Sequence, residues 1–599
     1  MQKRTILQLA TVTIALSNTV VVAQKKVEPP VSQLCTRANA LDFIQQQNAA
    51  AKTFDNTVQR IAVMLRAADL SWPYEQERAR ATFLEAFDIA SQYFKEVGAA
   101  DRSDSRFHVT RGIDQRYKVI SAFAKRDPGA ARKLSEKILK EEEKEATEKS
   151  SDPAAESRNK AERLLDVALI LSQTDQSAAI AFARASLRYA APLQLPIFLY
   201  ALSIVNRAAA DQFYEEALAA YRGAPMDQFL YLSSFPFGNN REAGEMPGYT
   251  IYMVPDGFAP SIRLQRLFVQ RLLARTQLAF EAPVDTTPPS EYRRSDSAQM
   301  WMALSRLEKQ IDQNLPDLAE TARQAKDKLY ALLTPASQRN ITRVVNSDNA
   351  PKKPFEEQVE AALKLADVDR RDQGLTFAVT GASSGETVER VVNVIDQISD
   401  AKVRTPLLNW FYFFRTQSLI KDKNLAEARK LAAKVTELDQ RVYLYSRIAE
   451  ESLKEADDQT QAREVLNEVA DAAARAPNTL VTARAWLAVA YLYAKIDTNR
   501  GIEELANAVR SINRLEAPDF SQESVTMKIE GKTFGSFAGF ATPGFSPENT
   551  FREIGKLDFD GSITQAATFT DKSLRALTTL AVVEPCLLQV PKAKPSRGL

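Results

Sequence analysis

Glycine is scarce in this sequence. There are 19 in 599 residues, about 3% against roughly 7% in ordinary proteins. Sheets and tight turns consume glycine, whereas helix interiors exclude it. The shortage therefore argues against an all-β protein and against a doubly wound α/β enzyme. Histidine is scarcer still: His108 is alone. One histidine excludes multi-histidine metal sites, and at that position it argues against a serine–histidine–acid triad. His108 stands among Asp104, Arg106 and Arg111 and reads as a solvated surface residue. Two cysteines, Cys35 and Cys586, are too few for a cysteine-ligated zinc or iron–sulfur centre. Long apolar runs are missing after the first 23 residues. The longest later uncharged stretch, Tyr189 to Asn206, contains Pro192 and Pro196 and reads as buried helix and turn rather than a membrane span. What is present is 45% apolar and 26% charged residues, the balance of a soluble globular chain and not of a disordered one.

Residues 1–23 read as an export signal. Met1-Gln2-Lys3-Arg4 is a short basic start. Thr5 to Ala23 carries no charge, and Val21-Val22-Ala23 offers small residues for cleavage. Gln8, Ser17 and Asn18 weaken the run as a permanent anchor. Cys35 follows Ser32-Gln33-Leu34 and lies too far downstream for a lipoprotein cysteine. Cleavage removes Lys3 and Arg4 from the 78 basic residues and leaves them equal to the 76 acidic ones. A neutral chain has no global field to attract nucleic acid or an anionic membrane. The expected location is periplasmic or extracellular, in a bacterium. There, Cys35 and Cys586 are expected to pair as a disulfide. The competing reading is two buried thiols beside Leu34 and Leu587, because an open helical array holds its ends apart.

Glycine placement divides the chain. Fourteen of the 19 fall within Gly223–Gly257, Gly374–Gly385 and Gly531–Gly561. The long stretches between them carry apolar residues at three- and four-residue spacing, the pattern of helices. These stretches repeat. Ala428-Arg429-Lys430-Leu431 with Val435 maps onto Ala462-Arg463-Glu464-Val465 with Val469 at an offset of 34, and Phe414 and Leu419 map onto Ile448 and Leu453. A third copy holds Val489, Ile502, Ala506 and Val509. Near the start, Asp127-Pro128 precedes Ala131-Arg132-Lys133-Leu134 and Ile138; Asp175 and Ala179 repeat that frame 48 residues later, and Ala79-Arg80 with Phe83 and Phe87 is a looser copy. Each copy reads as an antiparallel helix pair whose alanine allows close approach. One pair cannot bury its own apolar face, so neighbours must stack.

With a 34-residue period, an aromatic early in the first helix (Trp410, Trp486) and a small residue in the second, this region resembles tetratricopeptide repeats, in a degenerate form. The resemblance covers about half the chain. Ala449 and Ala490 stand near the place of the usual glycine, and the frame varies from 34 to 48. The resemblance implies an α-solenoid, a superhelix of antiparallel helix pairs that binds proteins or peptides on its concave face without catalysis.

The expected organisation is mostly α. Helical repeats occupy 24–225 and 261–516, separated by an inserted loop or hairpin at 226–260. A small glycine- and aromatic-rich β-containing segment follows at 517–592, then a disordered tail at 593–599. In the insert, Phe235-Pro236-Phe237-Gly238 and the strand-like Tyr249–Pro255 break the pattern. In the C-terminal segment, Val525-Thr526-Met527-Lys528-Ile529 alternates and Gly531-Lys532 offers a turn. Leu557–Phe569 and Leu574–Val583 follow as strands or a final helix. Glu141–Asp152 reads as an exposed helix end plus linker.

Four constellations invite chemistry. Thr380-Gly381-Ala382-Ser383-Ser384-Gly385 resembles the phosphate turn of short-chain dehydrogenases, and Tyr491 and Lys495 supply that family's Tyr-x-x-x-Lys spacing. Thr387 replaces the third glycine, however, and the repeat frame puts Ala378 inside a helix. A nicotinamide reductase therefore requires residues 375–379 to be a strand. Asp558-Phe559-Asp560-Gly561 opens like a calcium loop, but its twelfth position is Phe569 rather than an acid, so it reads as a tight turn. Glu450-Glu451 are adjacent on a helix and point to different faces. Trp410-Phe411-Tyr412-Phe413-Phe414 is the most suggestive. Five successive aromatics on a helix cannot share one core, so two or three should be buried and the rest face a groove or the C-terminal segment. Trp410, Phe411, Tyr412, Trp486 and Tyr491 are the candidate binding aromatics. No residue is assigned to catalysis, a cofactor or a metal. The expected function is an exported scaffold for proteins or extended peptides at the cell envelope. The alternative is an envelope hydrolase or lyase using a carboxylate pair in the groove.

Overall fold

A computed structural model describes residues 32–97, 103–105, 108–110, 114–145, 153–173, 175–238, 254–281, 294–349, 353–382, 385–454, 459–520, 524–532 and 534–588. The export signal, Tyr249–Met253 of the insert, residues 146–152 of the Glu141–Asp152 charge run, Ser383-Ser384 and the C-terminal tail lie outside these residues.

The chain is mostly helical. Its first part comprises α1 (Arg37–Ala51), α2 (Thr57–Ser71), α3 (Gln76–Val97), a β1–β2 hairpin (Ser103–Ser105, His108–Thr110), α4 (Gln115–Ala124), α5 (Pro128–Glu145), α6 (Pro153–Leu171), α7 (Gln176–Ser186), α8 (Gln194–Val205) and α9 (Arg207–Ala220). Then come α10 (Met226–Leu230), α11 (Ser234–Phe237), α12 (Ile262–Glu281), α13 (Asp296–Asn314), α14 (Pro316–Ala331) and α15 (Pro335–Asn349). The next part holds α16 (Phe355–Leu363), α17 (Val368–Thr380), α18 (Val388–Ile395), α19 (Ala401–Lys421), α20 (Leu425–Ala432), α21 (Leu438–Lys454), α22 (Gln459–Arg475), α23 (Leu480–Tyr493) and α24 (Thr498–Ile512). The chain then forms the β3–β4 hairpin (Ser524–Glu530, Gly535–Ala541) and ends in α25 (Pro547–Gly555), α26 (Phe559–Ala567) and α27 (Lys572–Leu587).

Local signals start the helices where the sequence places them. The Asp127 carboxylate accepts the Ala130 amide at 2.9 Å, and Asp175 does the same for Ala178, so both repeat-frame aspartates are N-caps. The frame alanines Ala131, Ala179, Ala428 and Ala462 are fully buried, as close helix approach requires. In the third copy the closest approach falls elsewhere. A Cβ on Gly501 would lie 2.8 Å from the Ala494 Cα, whereas Ala506 is only half-buried.

Contacts run mainly between chain neighbours. The first helices of successive units touch one another: α2 with α4, α4 with α6, α6 with α8, and again α17 with α19, α19 with α21, α21 with α23. Among the second helices α5 touches α7, α9 touches α12 and α12 touches α14. The circuit then closes. Helix α25 packs on α23, α26 on α24, and α27 on both α1 and α2.

Two readings of irregular regions change here. Residues 226–238 hold two short helices rather than a loop or hairpin, with Phe229, Phe235 and Phe237 buried. Proline is tolerated at 236 because α11 is a single turn, and Gly238 ends it at φ +65. Among the described residues of 517–592 there are the β3–β4 hairpin, which makes this a β-containing segment, and three α-helices, so helix outweighs strand here too.

Candidate functional site

The candidate aromatics come from the first helices α19 and α23. On α19, Phe411, Tyr412 and Phe413 are buried, Trp410 is half-buried and Phe414 is 38% exposed. A helix advances 100° per residue, so five consecutive rings must distribute around it. Trp410 reaches forward to Phe414, with centroids 4.9 Å apart. Tyr412 lies under the Lys434 ammonium at 5.4 Å, and burial raises its pKa. On α23, Trp486 is half-buried between the two main cores. Tyr491 on the same helix is half-buried under Lys495 at 4.3 Å.

The C-terminal hairpin lies over this row. Phe540 of β4 packs against Phe413 at 4.9 Å, Tyr443 of α21 at 5.5 Å and Phe414 at 5.7 Å. Phe534 meets Phe377 of α17 at 5.9 Å, and Lys532 forms an ion pair with Asp369 of α17 at 3.0 Å. Gly544 follows the hairpin and sits against Ala488 and Tyr491 of α23. The segment thus touches four successive first helices. Alternation explains how it stays there: Val525, Met527 and Ile529 of β3 face inward and are at most 3% exposed, while Thr526, Lys528 and Glu530 face water. The structure therefore brings the aromatics of α19, α21 and α23 together beneath the chain's own C-terminal segment. Sequence reasoning missed Tyr443 and Phe540; the alternation from Val525 to Ile529 was the signal that the segment had one buried face.

Elsewhere on the first-helix row, Lys118 of α4 is open to water yet densely surrounded. Desolvation lowers its pKa, and Glu548 at the start of α25 opposes that shift.

The chain ends meet in a clasp. Cys35 and Cys586 form a disulfide, with Cα atoms 5.1 Å apart across 551 residues. The Tyr74 hydroxyl donates to the Leu587 carbonyl at 2.7 Å, and the Ser32 hydroxyl donates to Asp560 at 2.7 Å. The Glu584 carboxylate of α27 accepts from Arg66 of α2 and Arg552 of α25, each at 2.5 Å. An array closed on itself removes the objection that its ends are far apart.

The other constellations have structural employment. Residues 375–379 are helical within α17, so no strand precedes the Gly381 turn and the reductase geometry is missing. Asp558 caps α26 through the Gly561 amide at 2.9 Å. Glu450 and Glu451 pair with Arg447 and Lys454 on their own helix. Buried carboxylates are also engaged. Asp114 bonds Arg116 and Arg163, Asp372 accepts the Ser399 and Asp400 amides, and Glu504 pairs with Arg500. Among the described residues no group of three or more His, Cys, Asp or Glu side chains is placed to hold a metal, and no helix is long and apolar enough to cross a membrane.

One cross-unit contact had no reading from sequence. Arginines on three second helices reach the next unit's second helix or its N-cap: Arg80 of α3 to Asp127, Arg184 of α7 to Glu216, and Arg429 of α20 to Glu464 and Glu468. No protein-family model matches the chain, and no curated protein is detectably similar to it.

Proposed function

We propose that this chain is an exported, non-catalytic α-solenoid that binds proteins or extended peptides at the cell envelope along its row of first helices. One observation carries the reading. Part of that row already holds a segment of the chain itself: the β3–β4 hairpin and its turn meet α17, α19 and α21 through aromatic and ionic contacts, and Gly544 after the hairpin lies against α23. Stacked helix pairs make surfaces suited to long ligands, and aromatic anchors supply most of the energy when such ligands bind. The engagement of the buried acids Asp114, Asp372 and Glu504 with arginines or backbone amides favours this reading over the hydrolase or lyase alternative.

The test is an array of short extended peptides probed with purified protein, run beside turnover assays on wall and glycan substrates. Saturable binding to a subset of aromatic-containing peptides is expected, with no turnover. Substrate turnover without peptide binding overturns the proposal.

A further inference from the structure

A cleft of about 570 Å³ opens between the second helices α5 and α7, with Leu164 of α6 at its floor. One wall is a single face of α5: Arg132, Ser135, Glu136, Leu139 and Lys140. These residues fall at the three-, four- and seven-residue intervals that share a helix face. The facing wall, on α7, carries Phe182 flanked by Ala181 and Ala185, with Arg188 beyond. The small alanines leave room that larger side chains would fill. Volume and apolar lining match a site for a small amphipathic molecule.

Arg132 pairs with Glu136 on its own helix at 2.9 Å. A comparable cleft in the C-terminal part, between α21 and α22, is charge-balanced: Arg441 and Arg475 share it with Glu468 and Asp471. The α5–α7 cleft is not balanced. Arg132 is matched by Glu136 and Arg184 by Glu216, which leaves Lys140 and Arg188 with no acidic partner among the described residues. A second observation is independent of charge. Ser135 is 2% exposed, and its hydroxyl has no hydrogen-bond partner. A buried hydroxyl left unpaired is costly, and a ligand oxygen relieves that cost.

We propose that this cleft binds a medium-chain monocarboxylate. Its alkyl chain lies on Leu139, Leu164 and Phe182, its carboxylate sits between Lys140 and Arg188, and the Ser135 hydroxyl donates to a ligand oxygen. The site is separate from the first-helix row, because it opens between second helices.

The experiment is calorimetric titration of the full chain with decanoate below its micellar concentration, with decanol and acetate as neutral-head and chainless probes. Saturable binding of decanoate is expected, at least ten-fold tighter than of decanol, with no binding of acetate. The double substitution Lys140→Gln/Arg188→Gln should weaken decanoate at least ten-fold, and Ser135→Ala several-fold. Ala185→Trp, which fills the cleft, should abolish binding, while Arg475→Gln in the balanced cleft should change nothing. All variants should melt within a few degrees of wild type, since the three cationic changes lie on exposed side chains. Decanoate binding that is absent, matched by decanol, or unchanged in both the double variant and Ala185→Trp overturns the proposal.

Discussion

Breaking the Cys35–Cys586 bond should lower stability without moving the ends apart. The bond spans 551 residues, and the chain-entropy treatment gives about 6 kcal/mol for a loop of that length. That figure is a ceiling, because a denatured chain of this size retains contacts of its own. In the native state the junction is also held by Tyr74 on Leu587, by Ser32 on Asp560 and by α27 packed on α1 and α2. Those contacts do not need the disulfide. The native arrangement should therefore survive its loss, with the effect falling on the unfolded chain. With roughly 2.1 cal/mol/K of unfolding entropy per residue, the ceiling corresponds to a drop of about 5 °C in Tm. Alanine is the right replacement, since Cys586 is 1% exposed and a serine there would bury an unpaired hydroxyl. The assay is calorimetry on wild type, reduced wild type and Cys35→Ala/Cys586→Ala, with thiol titration of native protein. Equal melting of all three, together with two titratable thiols in the unreduced protein, would refute the reasoning.

Phe540→Ala removes the ring between Phe413, Phe414 and Tyr443 and should cost about 2–4 kcal/mol; hydrogen exchange should quicken in 524–541 while α4 to α9 stay protected. Glu584→Gln leaves Arg66 and Arg552 facing each other without a carboxylate and should destabilise by about 1–3 kcal/mol, read as a thermal shift that Glu584→Asp partly restores. Burial raises the pKa of Tyr200 and of Tyr445 to about 12 each, with Glu468 adding to the shift of Tyr445. Their contribution is full below pH ~10, where both states are protonated, and is lost as pH rises toward ~12; at about 3 kcal/mol each, alkaline unfolding should begin in that window and shift upward in Tyr200→Phe/Tyr445→Phe.

The helix pairs were legible because their determinants are local. Asp127 and Asp175 announce helix starts, and the alanines at 131, 179, 428 and 462 mark where helices nearly touch. These are properties of a few neighbouring residues. The placement of the hairpin over α17, α19, α21 and α23 was not legible, since it joins Phe540 to Phe413 and Lys532 to Asp369 across more than a hundred residues. Nothing near Phe413 says which distant segment covers it. The five-aromatic run therefore showed that rings were available without showing what covered them. The frame also misled at its edges. Phe414 and Ile448 align by sequence, yet Phe414 is 38% exposed and Ile448 fully buried, because the hairpin meets the two helices differently. Gly501, rather than Ala506, makes the close approach in the third copy, against Ala494 at the α23–α24 turn.

The account rests most on the first-helix row being the surface that meets other polypeptides. A photo-crosslinking residue at Lys118, on the first helix α4, compared with one at Lys133, on the second helix α5, tests this directly. The row predicts peptide adducts at 118 that saturate with ligand, and none at 133. Adducts at 133 alone, or at neither position with a peptide that binds, would contradict it.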